Sequence, residues 1–209
     1  MIVFKTVNTT KLNKEIITSI CQIKDEYWSF GLKSQLKYFK KNIKSFDIHN
    51  LMYKNSELVG YTVFRVRKIF LKKKLKKYLL LDSIIIKKKF RKKNLGKLLM
   101  EYNNKMIKSK KMISILFCKT IKERFFKKYS WKSLKKNNYN VLDHELPEKV
   151  MYFNKLGFKF DKLNLLKISV KSQKYLPGIR EINPTQKKNN YFVSAPYGEL
   201  FRKNRGDIK

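Results

Sequence analysis

The stretch that decides the fold runs Tyr78-Leu79-Leu80-Leu81-Asp82-Ser83-Ile84-Ile85-Ile86 and then Lys87-Lys88-Lys89-Phe90-Arg91-Lys92-Lys93-Asn94-Leu95-Gly96-Lys97. Its first part is almost continuously apolar, as suits a central strand covered on both faces; a half-exposed strand would alternate. Asp82 and Ser83 are the exceptions. A short basic loop follows, and Leu95, Leu98, Leu99, Tyr102 and Met106 then recur at helical spacing. A helix that opens after such a loop presents unpaired backbone N–H groups and the positive end of its dipole, a natural seat for phosphate. Lys88, Arg91, Lys92, Lys93 and Lys97 add charge around that point. Gly96 permits close backbone approach, and Asn94 belongs to the few residue types besides glycine that tolerate a left-handed conformation. A plain basic strand–helix turn would show the same residues.

Upstream, residues 2–7 alternate as a first strand, and Thr9-Thr10 offers a cap for a helix with Leu12, Ile16, Ile20, Ile23 and Tyr27 on one face. Gly31 interrupts, and Leu32, Leu36, Phe39, Ile43 and Phe46 form a second stripe. Residues 48–53 and 58–66 read as a hairpin around Lys54-Asn55-Ser56-Glu57. Downstream, residues 112–118 make the next buried strand, which a right-handed crossover places parallel to residues 78–86. Thr120-Ile121-Lys122-Glu123 matches a capping box before a helix carrying Ile121, Phe125 and Tyr129 on one face. Residues 131–134 and 150–154 are further strands, and residues 165–170 a weaker one. Pro177, Gly178 and Pro184 mark loop or tail.

The segment from Ile86 through Arg91 to Gly96 resembles the acyl-CoA motif of the GNAT N-acetyltransferases, in which Arg or Gln leads a short Gly-x-Gly/Ala loop after a strand. Asn94 stands where the first glycine of that motif usually sits. Asn55-Ser56-Glu57-Leu58-Val59-Gly60-Tyr61 is similar to a hairpin of the same family, and Arg124-Phe125-Phe126-Lys127-Lys128-Tyr129-Ser130-Trp131 to its Phe-Tyr-x-x-x-Gly-Phe helix end. Tyr152-Phe153-Asn154-Lys155-Leu156-Gly157-Phe158 also resembles that helix end; the first segment is preferred because it follows the strand ending at Cys118 by a connection of normal length. The resemblance covers most of residues 1–158 and implies an α+β GNAT fold: a mixed, mostly antiparallel twisted sheet, its central parallel pair splayed at the cofactor site, helices on both faces. It implies acetyl-CoA or coenzyme A as cofactor. The ligand would be held by the strand end at Ile84 and Ile86, by Arg91, Lys92, Lys93, Asn94, Leu95, Gly96 and Lys97, and by Phe126 beside the thiol.

Asp82 is the candidate general base, since burial without a partner makes a carboxylate a stronger base, and it stands where many members of the family carry an acidic residue. The bland reading is a carboxylate neutralised by a neighbouring cation. Phe126 occupies the position where the family commonly has a tyrosine acid, so Tyr129, three residues on, is the substitute candidate; as a core residue it would need no such role. Lys119 and Lys122 replace the family's Asn-x-x-Ala before this helix. His49 and His144 lack metal-ligand neighbours, and Cys118 reads as a small buried hydrophobe.

The 209 residues carry 51 Lys+Arg against 15 Asp+Glu, a formal charge of +36, with 43% hydrophobic residues. That apolar content excludes a disordered chain. The charge suits contact with nucleic acid or another polyanion, although codon bias toward lysine would also produce it. Two distant cysteines, Cys21 and Cys118, suggest neither a disulfide framework nor zinc and suit a reducing cytoplasm. The longest apolar stretch is far short of the ~18 residues of a membrane span. The expectation is a GNAT domain over residues 1–158 and a basic extension over 159–209, partly docked or flexible, with Tyr191, Phe192, Tyr197 and Phe201 interleaved among lysines. Function divides between an acyl-CoA-dependent N-acyltransferase, acting on an amino sugar nucleotide or an RNA-linked or ribosomal amine, and a non-catalytic nucleic-acid binder on the same scaffold. Oligomeric state is left open, a dimer included.

Overall fold

The computed structural model describes residues 1–71, 74–142, 147–154 and 166–170. Strands β1 (Ile2–Asn8), β2 (Ile48–Lys54), β3 (Glu57–Leu71) and β4 (Lys74–Ile86) follow one another as antiparallel neighbours. Asn55 and Ser56 turn the β2–β3 hairpin with φ of 50° and 63°, the left-handed pair that a two-residue hairpin loop requires. Helices α1 (Lys14–Trp28) and α2 (Leu32–Asn42) lie between β1 and β2 in sequence, and α3 (Leu95–Ser109) connects β4 to β5 (Ser114–Cys118). α4 (Thr120–Lys127), β6 (Lys132–Ser133), β7 (Tyr139–Val141), β8 (Lys149–Phe153) and β9 (Leu166–Ile168) complete the described chain. The sheet runs β1-β2-β3-β4-β5-β8-β6, and β9 lies antiparallel to β3 and parallel to β7. This is the expected α+β architecture, mostly antiparallel, with β4 and β5 as the central parallel pair. Residues 166–170 of the expected extension are part of it, since Leu166, Ile168 and Val170 are buried in its core.

Two irregularities in β4 position the site. β4 and β5 pair only through Leu79, Leu80 and Leu81 with Ser114, Ile115 and Leu116. Past Leu81, β4 continues beside β3, while β5 continues beside β8. The β3–β4 register passes from Val63↔Ser83 to Phe64↔Leu81, so Asp82 is the extra residue of a bulge. The parallel pair therefore parts at the bulge.

Helices cover both faces. α1 and α2 bring Ile20, Ile23 and Phe39 against Tyr61, Val63 and Ile85. α3 brings Leu99, Met100 and Ile107 to the other face, against Met52, Phe64, Leu79 and Leu81. Beneath α3, Asn50 Nδ2 donates to Asn103 Oδ1 (2.8 Å) and Asn103 Nδ2 to Thr62 Oγ1 (3.0 Å), all three residues fully buried. A satisfied buried network of this kind fixes the helix's register, because a slip would strand its donors in an apolar layer.

Long-range partners displace two expected caps. α1 starts at Lys14 with Asn13 as its cap, accepting from the Ile16 N–H at 2.9 Å, whereas Thr9 Oγ1 donates to the Lys44 carbonyl at 2.6 Å. Lys119 is the N-cap of α4, so Thr120-to-Glu123 forms no capping box. The Thr120 N–H donates instead to Glu148 (2.8 Å), and the Glu123 carboxylate takes Ser133 Oγ (2.6 Å) and Lys127 (2.7 Å). The expected apolar face of α4 is corrected as well: Ile121 is 82% exposed, and Phe126 and Tyr129 lie against the core. His144, residues 155–158 of the second candidate helix end, and everything past residue 170 lie outside the described residues.

Candidate functional site

β4 ends where the Lys87 N–H donates to the Val59 carbonyl at 2.8 Å. A single 3-10 turn over Lys88–Phe90 follows, closed by bonds from Phe90 N to Lys87 O and Arg91 N to Lys88 O. Lys92 (φ 62°) and Asn94 (φ 56°) are then left-handed, and α3 begins at Leu95. Among the described residues the backbone N–H groups of Lys92, Lys93, Asn94, Leu95 and Gly96 have no acceptor; the first in helical register is Lys97, donating to Asn94 O at 3.0 Å. A Cβ at Gly96 would point into open space. A run of free amides bent by left-handed residues at a helix N-terminus is the donor set that a phosphate or pyrophosphate oxygen fills.

The basic side chains of the loop divide into two groups. Lys87 and Lys89 both pair with Glu57, at 2.7 and 2.8 Å, and hold its carboxyl below the ordinary range. Arg91 is a brace: its Nε donates to the Ile86 carbonyl (3.0 Å) and its guanidinium lies 5.4 Å from the centre of the Tyr27 ring. Glu26 accepts the Lys88 N–H at 2.7 Å, so the end of α1 is tied to the loop as well. Lys92 and Lys93 form no ion pair among the described residues, and Lys97 reaches only Glu101, at 4.0 Å. Ile84 and Ile86 turn toward the α3 face, packing against a cluster of Met52, Val59, Leu95 and Leu99.

Asp82 is 4% exposed, and its Oδ2 lies 3.1 Å from Arg65 Nη1. Of the two sequence readings, a base and a carboxylate neutralised by a neighbouring cation, the second has its cation here in Arg65. Lys24 and Tyr38 feel the charges of both Asp82 and Arg65, so this polar group belongs to the face covered by α1 and α2. Tyr129 lies on the other face, at the rim of the cluster holding Leu81 and Leu116, its ring edge-on to Phe125 at 5.2 Å. Burial, then the charge of Glu101, pushes its hydroxyl pKa up, so at neutral pH it holds a proton. Phe126 packs 6.3 Å from Trp131. Asn104 of α3 fixes this corner by donating to the Tyr129 carbonyl (2.8 Å) and accepting from Trp131 Nε1 (3.0 Å). Burial pushes Cys118 up to about 11, which leaves it a poor nucleophile at neutral pH.

Residues 84–97 thus meet on one strand–loop–helix unit, and Asp82 and Tyr129 flank the sheet from opposite faces. Sequence reading missed Lys24, Arg65, Arg67 and Asn104. For two of them a signal existed: Arg65 and Arg67 stand two residues apart in a strand, which points both charges to one face.

Strand order, the parted parallel pair and the loop leading from β4 into α3 are those of the GNAT acetyltransferase fold. The chain is similar to the GNAT family N-acetyltransferase YhbS from Escherichia coli, solved in complex with CoA, at 6% identity and a TM-score of 0.57 over 80% of this chain and 89% of that one. It is similar to an acyl-CoA N-acyltransferase from Pseudomonas aeruginosa (12% identity, TM-score 0.54, 73% of this chain and 99% of that one). Escherichia coli ElaA matches at 16% identity with a TM-score of 0.53 over the same shares, 73% and 99%. At these identities the likeness is one of fold. No protein-family model and no curated protein matches the sequence.

Proposed function

We propose that this protein transfers an acyl group, acetyl in the simplest case, from coenzyme A to a primary amine. The observation that carries the reading is the run of N–H groups from Lys92 to Gly96, unbonded among the described residues, at the start of α3, beyond the stretch of β4 that has parted from β5. These amides suit the pyrophosphate of coenzyme A, with Lys92, Lys93 and Lys97 supplying counter-charge. The free edge of β4 at Ile84 and Ile86 suits the amide-bearing arm that leads to the thiol. When bound, acyl-CoA would supply the activated thioester carbonyl, and Phe126 would lie along its thiol end.

The residues that would handle protons lie on the two faces. Asp82, oriented by Arg65, would receive the proton of the attacking amine on the α1 side. Tyr129, on the α3 side and protonated at neutral pH, would donate to the departing sulfur. With its thiol pKa raised to about 11, Cys118 is ill suited to carry the acyl group, which favours direct transfer. The two free cysteines agree with a reducing compartment such as the cytoplasm. No helix among the described residues is long and apolar enough to cross a membrane.

The test is thiol release from acetyl-CoA across a panel of amines, with calorimetric titration of CoA. Binding of CoA, amine-dependent release, and a kcat lower by about 10²- to 10⁴-fold in Asp82→Asn are expected. Failure to bind CoA together with no turnover on any amine overturns the reading.

A further inference from the structure

Three hydrogen-bond donors between the α1–α2 layer and the sheet have no acceptor among the described residues. Gln35 Nε2 and Arg65 Nε are buried without a partner, in side chains of residues 3% and 6% exposed. Lys24, 5% exposed, makes no hydrogen bond or ion pair among the described residues; its ammonium lies 4.6 Å from the centre of the Tyr38 ring and 5.6 Å from that of Trp28. Lys24 lies over the ring of Tyr38, one turn along α2 from Gln35, and senses the charges of Arg65 and Asp82, so the three donors belong to one layer between α1–α2 and the sheet. Arg65 already spends Nη1 on Asp82 (3.1 Å) and Nη2 on the Val170 carbonyl (3.4 Å). Each unpaired buried donor forfeits its bonds to water, and burial lowers the pKa of the Lys24 ammonium, only partly offset by the charge of Asp82.

What is missing is an acceptor. Lys24 and Arg65 both feel the carboxylate of Asp82, which bonds only to the Nη1 of Arg65 among these donors, and a further carboxylate, with two oxygens and about four lone-pair sites, would supply acceptors for Lys24, Gln35 and Arg65. The cluster adjoins the Asp82 bulge, where β4 leaves β5. The burial of all three residues excludes a polymeric ligand. We propose that Lys24, Gln35 and Arg65 form a carboxylate subsite, and that the acyl acceptor is a small amine bearing a carboxylate, of amino-acid type. This rests on the acyl-transfer reading above.

The test titrates the full chain calorimetrically, with CoA absent and present, using a panel of amino acids, the matching carboxamides and inorganic phosphate. Amino acids should bind about 10- to 100-fold more tightly than their carboxamides. Gln35→Leu and Lys24→Met should erase that preference while leaving the melting temperature unchanged or higher, because the first removes an unpaired buried donor and the second a buried charge. Carboxamides that bind as well as the acids, phosphate that outcompetes them, or no heat from any carboxylate overturns the proposal. Variants that gain stability and keep the preference do so too. Carboxylate binding without thiol release would remove the transfer reading and keep the subsite; thiol release indifferent to the carboxylate would do the reverse.

Discussion

His49 is fully buried between Phe39 and Tyr61, its ring centre 5.8 Å from each. Its Nδ1 meets the Tyr61 hydroxyl and its Nε2 the Thr9 hydroxyl, both at 2.9 Å, so a neutral ring satisfies both of its nitrogens. Burial first, and the charge of Lys24 second, lower its pKa from 6.5 to about 4. The unfolded chain then binds this proton more readily than the folded one, so the contribution to stability is fully present above pH 6.5 and is lost as pH falls toward 4. By pH 5 the loss is about 2 kcal/mol, in a range where most exposed carboxylates are still ionised. Denaturant midpoints measured between pH 7.5 and pH 5 should fall accordingly, and His49→Gln should flatten that slope whatever its effect on stability at pH 7.5. A wild-type midpoint that does not move across this range sinks the idea.

The strand–loop–helix unit depends on backbone shape more than on side chains, and Asn94 is its sensitive point. With φ 56° and ψ 5°, the residue pays little strain as asparagine and would pay less as glycine. Asn94→Gly should therefore keep or improve CoA binding, whereas Asn94→Val should cost about 1–2 kcal/mol of stability and weaken CoA binding about tenfold, read by thermal denaturation and calorimetry. Equal CoA affinity in the two variants would show that the free amides do not hold the ligand. Much of this unit was legible in the sequence, because a doubly covered strand and an amphipathic helix declare themselves by local pattern, and left-handed tolerance belongs to asparagine itself. Lys92, also left-handed, carried no such mark. Nor did the Asp82 bulge, which exists only in register with Val63 and Phe64. The caps of α1 and α4 were misread for a related reason: Thr9 and Glu123 have local partners on paper, but Lys44 and Ser133, brought close by the fold, compete for them. β7 and β9 are only three residues each and take their strand character from β3 and from each other.

For the molecule as a whole, the decisive quantity is the +36 charge spread over 209 residues. In the folded state these charges are crowded, whereas an unfolded chain spreads them over a larger volume, so self-repulsion works against folding. Salt acts on two opposed contributions. It screens the repulsion, which stabilises, and it weakens exposed ion pairs such as Lys97–Glu101 and Lys127–Glu123, which contribute only about 0–1 kcal/mol each. Repulsion should dominate, since 51 cations outnumber 15 anions and most have no acidic neighbour to lose. The two buried pairs, Arg65–Asp82 and Arg67–Asp47, are sheltered from solvent and respond weakly to added ions. Raising NaCl from roughly 20 to 500 mM, where the screening length shrinks from about 20 to about 4 Å, should thus raise the melting temperature, most steeply at the low end. A melting temperature that stays level or falls over that range would mean that local pairing, rather than net charge, sets the electrostatic balance of this fold.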